Sequence, residues 1–175
     1  MAKKPVVVYG ASGYTGKLIC EFLREYQIPF IAAGRSRARI EEALLTVPGI
    51  ETADYEVVEV EHSVAALTEL LSGCEVICNT VGPFEYFGEV AVEAAAKAGV
   101  HYMDTTGEQS FMIEMRNKFH EAFKANGKIL APSTAYMYTP LDIAMNLVRC
   151  RCADLRFHAN NFRYVQSRSS LFGKQ

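Results

Sequence analysis

The stretch Pro5-Val6-Val7-Val8-Tyr9-Gly10-Ala11-Ser12-Gly13-Tyr14-Thr15-Gly16-Lys17-Leu18-Ile19-Cys20 decides how this 175-residue chain is read. Its β-branched run predicts a buried strand, and Leu18, Ile19, Phe22, Leu23 and Tyr26 recur at helical spacing directly after the glycines. Strand, glycines, helix is the context that gives a glycine triplet meaning. Gly10 permits a tight turn, Gly13 lets backbone amides approach a pyrophosphate at the helix N-terminus, and Gly16 lets the helix lie close on the sheet. The loop therefore reads as a dinucleotide fingerprint, with Ser12, Tyr14 and Thr15 in the same cradle. A nucleoside-triphosphate loop does not fit. Gly10 and Gly16 are separated by five residues instead of four, and Lys17 is followed by Leu18 where Ser or Thr would hold magnesium.

Working outward, short apolar runs alternate with amphipathic stretches, the pattern of a parallel sheet with crossover helices. Strands are expected at Pro5 to Tyr9, Phe30 to Ala33, Tyr55 to Val60, Glu75 to Asn79, Val100 to Asp104 and Lys128 to Ala131. Helical spacing recurs in Val64, Leu67, Leu70 and Leu71, in the Ala-rich run Glu89 to Ala98, and in Phe111, Met112, Met115, Phe119 and Phe123. Gly73, Gly99 and Gly127 stand where left-handed C-terminal residues are wanted. The fold class is α/β, a doubly wound parallel sheet (Rossmann fold), over residues 1–148. Beyond Pro140 a seventh helix (Leu141, Ile143, Ala144, Leu147, Val148) leads to the alternating run Leu155, Phe157, Ala159. That run predicts a strand with one apolar face and no partner in this sequence. Residues 149–175 are thus expected to begin a truncated or absent second domain, and the open apolar face predicts a homodimer.

Cofactor choice is set where the second strand ends. An NAD-type site places Asp or Glu there, about 20 residues past the glycines, to accept the ribose hydroxyls. This chain has Gly34-Arg35-Ser36-Arg37 instead, with no acid in that segment to repel a phosphate. Arg35 and Ser36 are expected to take the 2′-phosphate, so NADP (NADPH) is the expected cofactor. The loops Asn79-Thr80-Val81-Gly82-Pro83-Phe84 and Asp104-Thr105-Thr106-Gly107-Glu108 follow the fourth and fifth strands, at the edge where ribose and nicotinamide lie in such a sheet. Thr80, Val81, Gly82, Pro83 and Asp104 are the candidate contacts. His101, Tyr102, Asp104 and Glu108 are near enough in sequence to be considered for acid–base work, yet none is assigned as catalytic. A short-chain dehydrogenase site is excluded, because none of the nine tyrosines has a lysine four residues on.

Composition narrows the class further. Half of the residues are hydrophobic and the formal net charge is -2, which suits a packed core and argues against nucleic-acid binding. No apolar run is long enough to span a bilayer, and a cytoplasmic location is expected. From Arg149 onward six basic residues face one acid, Asp154. The five cysteines form no C-x-x-C pair and no even framework, so reduced, buried thiols are expected and no metal.

Taken together, Gly10 to Gly16, Gly34-Arg35-Ser36, Asn79 to Phe84 with Gly88-Glu89, and Tyr102 to Glu108 resemble the N-terminal domain of the saccharopine-dehydrogenase-like oxidoreductases. The Gly-Pro-Phe and Asp-Thr-Thr-Gly-Glu segments are most similar to the subgroup of trans-acting enoyl reductases. The resemblance runs from about Val6 to Asp142. It implies an NADP(H)-binding Rossmann domain, with the substrate handled mostly by a second α/β domain, and hydride exchange with an imine or enoyl-type small molecule. Ala135 to Pro140 lacks the glycine such relatives tend to carry before Pro-x-Asp. Relatives also continue roughly as far again, so the chain is expected to be either part of a longer protein or a short form. The alternative reading is a non-catalytic NADP sensor or interaction module.

Overall fold

The computed structural model describes residues 3–151. The run Leu155, Phe157, Ala159 lies outside the described residues. The chain divides into two compact units, Met1–Thr134 and Ala135–Gln175.

The first unit holds one six-stranded sheet in the order β3-β2-β1-β4-β5-β6, every neighbouring pair parallel. Its strands are β1 (Val6–Tyr9), β2 (Phe30–Gly34), β3 (Tyr55–Glu59), β4 (Val76–Asn79), β5 (His101–Asp104) and β6 (Leu130–Ala131). The order reverses between β1 and β4, which places the ligand crevice of such sheets at the carboxyl ends of these two strands. Period-two alternation divides β1 between two cores. Val6 and Val8 pack with Cys20, Ile40 and Leu44 on one face, while Val7 and Tyr9 pack with Leu67, Leu71 and Ile77 on the other. All four residues of β1 are buried, as a central parallel strand covered by helices on both sides must be.

The helices are α1 (Tyr14–Glu25), α2 (Arg37–Leu44), α3 (Val64–Leu71), α4 (Phe84–Ala98) and α5 (Gln109–Ala125). Ser36 and Ser63 cap α2 and α3 locally, accepting the backbone N–H of Arg39 and Ala66. Gly73, Gly99 and Gly127, just past α3, α4 and α5, take the left-handed conformation expected of them, at φ 82°, 67° and 63°. In α1 the residues turned inward are Gly16 and Cys20, with Ile19 and Leu23 half-buried against the same core. Tyr14, Leu18, Phe22 and Tyr26, four residues apart, form an exposed apolar ridge on the opposite side.

Two boundaries differ by two residues or more from those expected, each for a non-local reason. Strand β6 keeps only Leu130 and Ala131, because the Lys128 N–H turns back to the Phe123 carbonyl (2.8 Å) and the Ile129 N–H goes to His101 Nδ1 (3.0 Å). Helix α4 starts at Phe84 instead of Glu89, because its first amides find an acceptor 24 residues further along, on Glu108. In the second unit the helix beyond Pro140 is the sixth α-helix, not a seventh: α6 (Thr139–Arg151), with Asp142 in its first turn. The proposed division between 148 and 149 falls inside it.

Candidate functional site

Tyr9, Gly34, Glu59, Asn79 and Asp104 end their strands on one edge of the sheet. The loops that follow them meet there. Gly10 turns the chain out of β1 at φ 91°, and its N–H and that of Ala11 both donate to the Ala33 carbonyl, at 2.9 and 3.2 Å. A Cβ on Gly10 would lie 2.6 Å from Thr80 Oγ1 and 3.0 Å from Val81 Cγ2. The Thr80 hydroxyl in turn donates to the Tyr9 carbonyl at 2.9 Å, so the loops after β1 and β4 are fitted to each other. A Cβ on Gly16 would collide with the Gly10 carbonyl and lie 2.8 Å from Ala11 Cα. Only glycine permits this contact between α1 and the turn.

Gly13 is the N-cap of α1, with φ -80° and ψ 168°, and no side chain caps that end. The amides of Tyr14, Thr15 and Gly16 therefore open the helix, where N–H groups have no acceptor within the helix and the helix dipole favours an anion. Gly10 and Gly16 thus let the β1 turn, the β4 loop and α1 pack closely, and the uncapped start of α1 offers its amides to an anion.

At the end of β2, Arg35 is exposed and Ser36 half-buried. The structure adds a residue that sequence reasoning missed. Glu59 pairs with Gly34 across the β2–β3 ladder, and its Oε2 accepts the Arg37 N–H at 2.8 Å. The segment Gly34 to Arg37 has no acid of its own, yet the fold brings one to it. His62, also missed, lies in the loop before α3 with its Nδ1 2.7 Å from the Tyr9 hydroxyl and its ring edge-on to Phe87. Partial burial, and next the Arg35 guanidinium, hold the His62 imidazole below its ordinary pKa. Burial raises Tyr9 above the usual phenol value, and Arg35 partly offsets this. No local sequence signal marks either residue, since each acts on a strand neighbour more than 20 residues away.

The loops after β4 and β5 are built differently. The Asn79 amide donates to the Tyr102 hydroxyl (3.1 Å), which donates to Asp104 Oδ2 (2.8 Å). Asp104 Oδ1 accepts the N–H groups of Thr106 (3.0 Å) and Ser133 (2.8 Å). Asn79 Oδ1 accepts the Val81 N–H at 3.0 Å. Asp104 is 2% exposed, and the bonds just named tie the ends of β4 and β5 to each other and to the loops that follow β4, β5 and β6. Burial lifts its carboxyl above the usual range, while the Ser133 and Thr106 amides and the Tyr102 hydroxyl pull it back. Glu108 turns away from its own helix, and its two oxygens accept the Phe84 N–H (3.1 Å) and the Glu85 N–H (2.5 Å) at the start of α4. Gly82 and Pro83 lie directly before that capped turn, joined by a cis peptide.

Of the four residues considered for acid–base work, His101 stands at the amino end of β5, opposite the site, and accepts the Ile129 N–H there. That corrects its expected placement. Tyr102, Asp104 and Glu108 are each engaged in the bonds above. Cys20 and Cys74 are buried and Cys78 half-buried, all as free thiols, and burial pushes Cys20 up to about 12 and Cys78 to about 11, which removes them as nucleophiles at neutral pH. Among the described residues no three His, Cys, Asp or Glu side chains are grouped to hold a metal. No helix among them is long and apolar enough to cross a membrane.

Comparison with known proteins agrees with this geometry. The family described as saccharopine dehydrogenase NADP binding domain matches residues 6–130. A human saccharopine dehydrogenase-like oxidoreductase is 29% identical over 158 residues, covering 82% of this chain and 37% of that protein. The trans-acting enoyl reductase of Mycobacterium ulcerans (strain Agy99) is 31% identical over 152 residues, covering 85% of this chain and 36% of its own length. A Caenorhabditis elegans lipid droplet localized protein is 29% identical, covering 85% of this chain and 37% of that protein. The chain thus spans little more than a third of these relatives. Among solved structures, the bulky-bulky ketone specific alcohol dehydrogenase from Comamonas testosteroni superposes with a TM-score of 0.53 at 11% identity, covering all of this chain and 97% of that one. The leucoanthocyanidin reductase–NADPH complex from Vitis vinifera does so at 0.50 and 14% identity, covering 73% of this chain and 48% of that one. Both show the fold alone. With the glycine turn, the strand order and the match over residues 6–130 in agreement, the chain belongs to the saccharopine dehydrogenase NADP-binding domain family.

Proposed function

We propose that this domain holds NADP(H) for hydride exchange with an imine or enoyl-type small molecule, and that its own residues act mainly on the cofactor. The single observation that carries the reading is the close-packed turn from Gly10 to Gly16, which a Cβ at Gly10 or Gly16 would force apart, leading into the uncapped start of α1. Gly10, Ser12, Gly13, Tyr14, Thr15 and Gly16 would take the pyrophosphate, and Arg35 with Ser36 the 2′-phosphate. Thr80, Val81, Gly82 and Pro83 would flank the nicotinamide half. When bound, the nicotinamide supplies the hydride at C4. Asp104, expected among the contacts, is better assigned to supporting these loops from beneath, since it is buried and its oxygens are taken.

The names of the relatives support an oxidoreductase; the enoyl class rests on the likeness to the trans-acting enoyl reductase and the imine class on the likeness to the saccharopine dehydrogenases. A substrate-binding region outside this domain, a homodimer and a cytoplasmic location are part of the same proposal. One observation favours the second reading, a domain that binds NADP without turnover: Tyr102, Asp104 and Glu108 are committed to structural bonds.

Thermal unfolding with added nucleotide tests the proposal. A ligand at about 100 times its dissociation constant adds about 2.7 kcal/mol to native stability, which raises Tm by several degrees in a domain of this size. NADPH should do so. A melting curve unmoved by millimolar NADPH and NADP+ in demonstrably folded protein refutes cofactor binding by this chain. Oxidation of NADPH by enoyl or imine compounds would separate the enzyme from the binding module.

A further inference from the structure

We propose that Glu59 is a specificity-determining residue that works against the 2′-phosphate, so that NADP preference here is a balance between Arg35 and Glu59 and NAD(H) is also accepted. The inference rests on the cofactor reading above and asks what sets its selectivity.

Glu59 is the last residue of β3 and is paired with Gly34, the last residue of β2. The Val60 N–H to Gly34 carbonyl bond of 2.9 Å continues that register one residue further. The carboxylate therefore stands one strand over from the end of β2, at the start of α2, while Arg35 acts electrostatically on Tyr9 and His62. Its Oε2 accepts the N–H of Arg37, the first residue of α2, at 2.8 Å. Ser36 Oγ accepts the N–H of Arg39 at 3.4 Å. Two of the first three amides of α2 thus already have protein acceptors. A phosphate seated by Arg35 and Ser36 would draw on these same donors, and a carboxylate holds one of them. The Arg37 guanidinium lies 3.5 Å from Glu41 on the exposed face of α2.

A carboxylate at this point of the sheet has a second consequence. In sites that take the unphosphorylated cofactor, an acid at the end of β2 accepts the ribose hydroxyls and repels a phosphate. Here β2 ends in Gly34-Arg35, and the acid arrives from the adjacent strand at the same level. Glu59 can accept a 2′-hydroxyl where it cannot accept a phosphate oxygen. Arg35 offers the opposite preference. The site carries both signs of discrimination on neighbouring strand ends.

Titration calorimetry of NADPH and NADH on the wild type, Glu59→Gln and Glu59→Ala tests this, together with the amide resonance of Arg37 in the nucleotide-free protein. The Arg37 amide should shift in Glu59→Ala, which reports loss of the bond independently of any nucleotide. In Glu59→Gln the NADPH-to-NADH affinity ratio should rise about threefold to tenfold, the size expected for removing one solvent-screened charge near a phosphate. NADPH should tighten while NADH holds or weakens. A ratio unchanged within about twofold in both variants, with the Arg37 amide displaced in Glu59→Ala, overturns the proposal and leaves cofactor binding intact. A wild type that binds neither nucleotide overturns both.

Discussion

The two halves of the sheet's carboxyl edge handle their polar groups in opposite ways. Beyond β1, β2 and β3, Arg35, Arg37, Arg39 and Glu59 are exposed, and α1 starts without a side-chain cap. Beyond β4, β5 and β6, Asn79, Asp104, Thr106 and Ser133 are buried, at 2% exposure or less, and bonded to one another's loops. The difference follows from what each half must do. Donors meant for a charged ligand must stay solvated until it arrives, whereas loops that only hold their shape are stronger when their donors are consumed internally. One half is a surface for recognition and the other a frame.

The comparison breaks most visibly at Asp104. Asp104→Ala leaves the Tyr102 hydroxyl and the Thr106 and Ser133 amides without their acceptor, and should cost about 3 to 9 kcal/mol at about 1 to 3 kcal/mol per stranded buried donor. Asp104→Asn keeps an acceptor for the two amides and should lose about 1 to 2 kcal/mol. Urea unfolding measures both, and a loss below about 1 kcal/mol for the alanine variant would show that the frame does not depend on this carboxylate.

In the recognition half the expected change is in binding and not in folding. With Arg35 on the 2′-phosphate as proposed, Arg35→Asp would remove a charge-assisted contact worth about 1.5 to 3 kcal/mol, and the NADPH-to-NADH affinity ratio should fall by about tenfold to 150-fold. The unfolding midpoint should barely move, because Arg35 is exposed. Calorimetry with both nucleotides on the same variant decides it, and an unchanged ratio would make Arg35 a surface residue.

The smallest effect sharpens the boundary between the halves at His62, which joins Tyr9 of the core to the exposed loop. Its pKa is lowered in the fold, by burial first and by Arg35 second, so the neutral imidazole is the favoured form. The contribution to stability is complete above the unfolded value of about 6.5 and is lost as pH falls through the lower folded value. The wild type should therefore lose under about 1 kcal/mol relative to His62→Gln between pH 7 and pH 5. An NMR titration of the His62 ring that gave a pKa above 6.5 would contradict the assignment.

Most of the frame's strands, and the glycine cradle, were legible in the sequence because both are local patterns. β1 reads as a β-branched run, and Gly10, Gly13 and Gly16 follow at the spacing a strand–turn–helix needs. What was not legible came from neighbours that only the sheet creates. Glu59 faces Arg37 because β2 and β3 are adjacent, and Glu108 reaches α4 because β4 and β5 are. The start of α4 was misjudged for that reason, since Pro83 offers no capping side chain and the cap comes from Glu108. The outer ridge of α1 shows the converse limit. Leu18, Phe22 and Tyr26 share helical spacing with Ile19 and Leu23, and spacing alone does not say which set faces the core.

The Glu108 cap also orders events in time. Helix α3 carries its cap three residues from the amide it serves, and α2 has one such local cap in Ser36 beside its longer-range bond to Glu59. Helix α4 must wait for an acceptor 24 residues downstream, delivered only once β5 has docked beside β4. Closing that longer loop has an entropic cost the local caps avoid. As the chain leaves the ribosome, the turn after Pro83 should therefore settle only after β5 has docked.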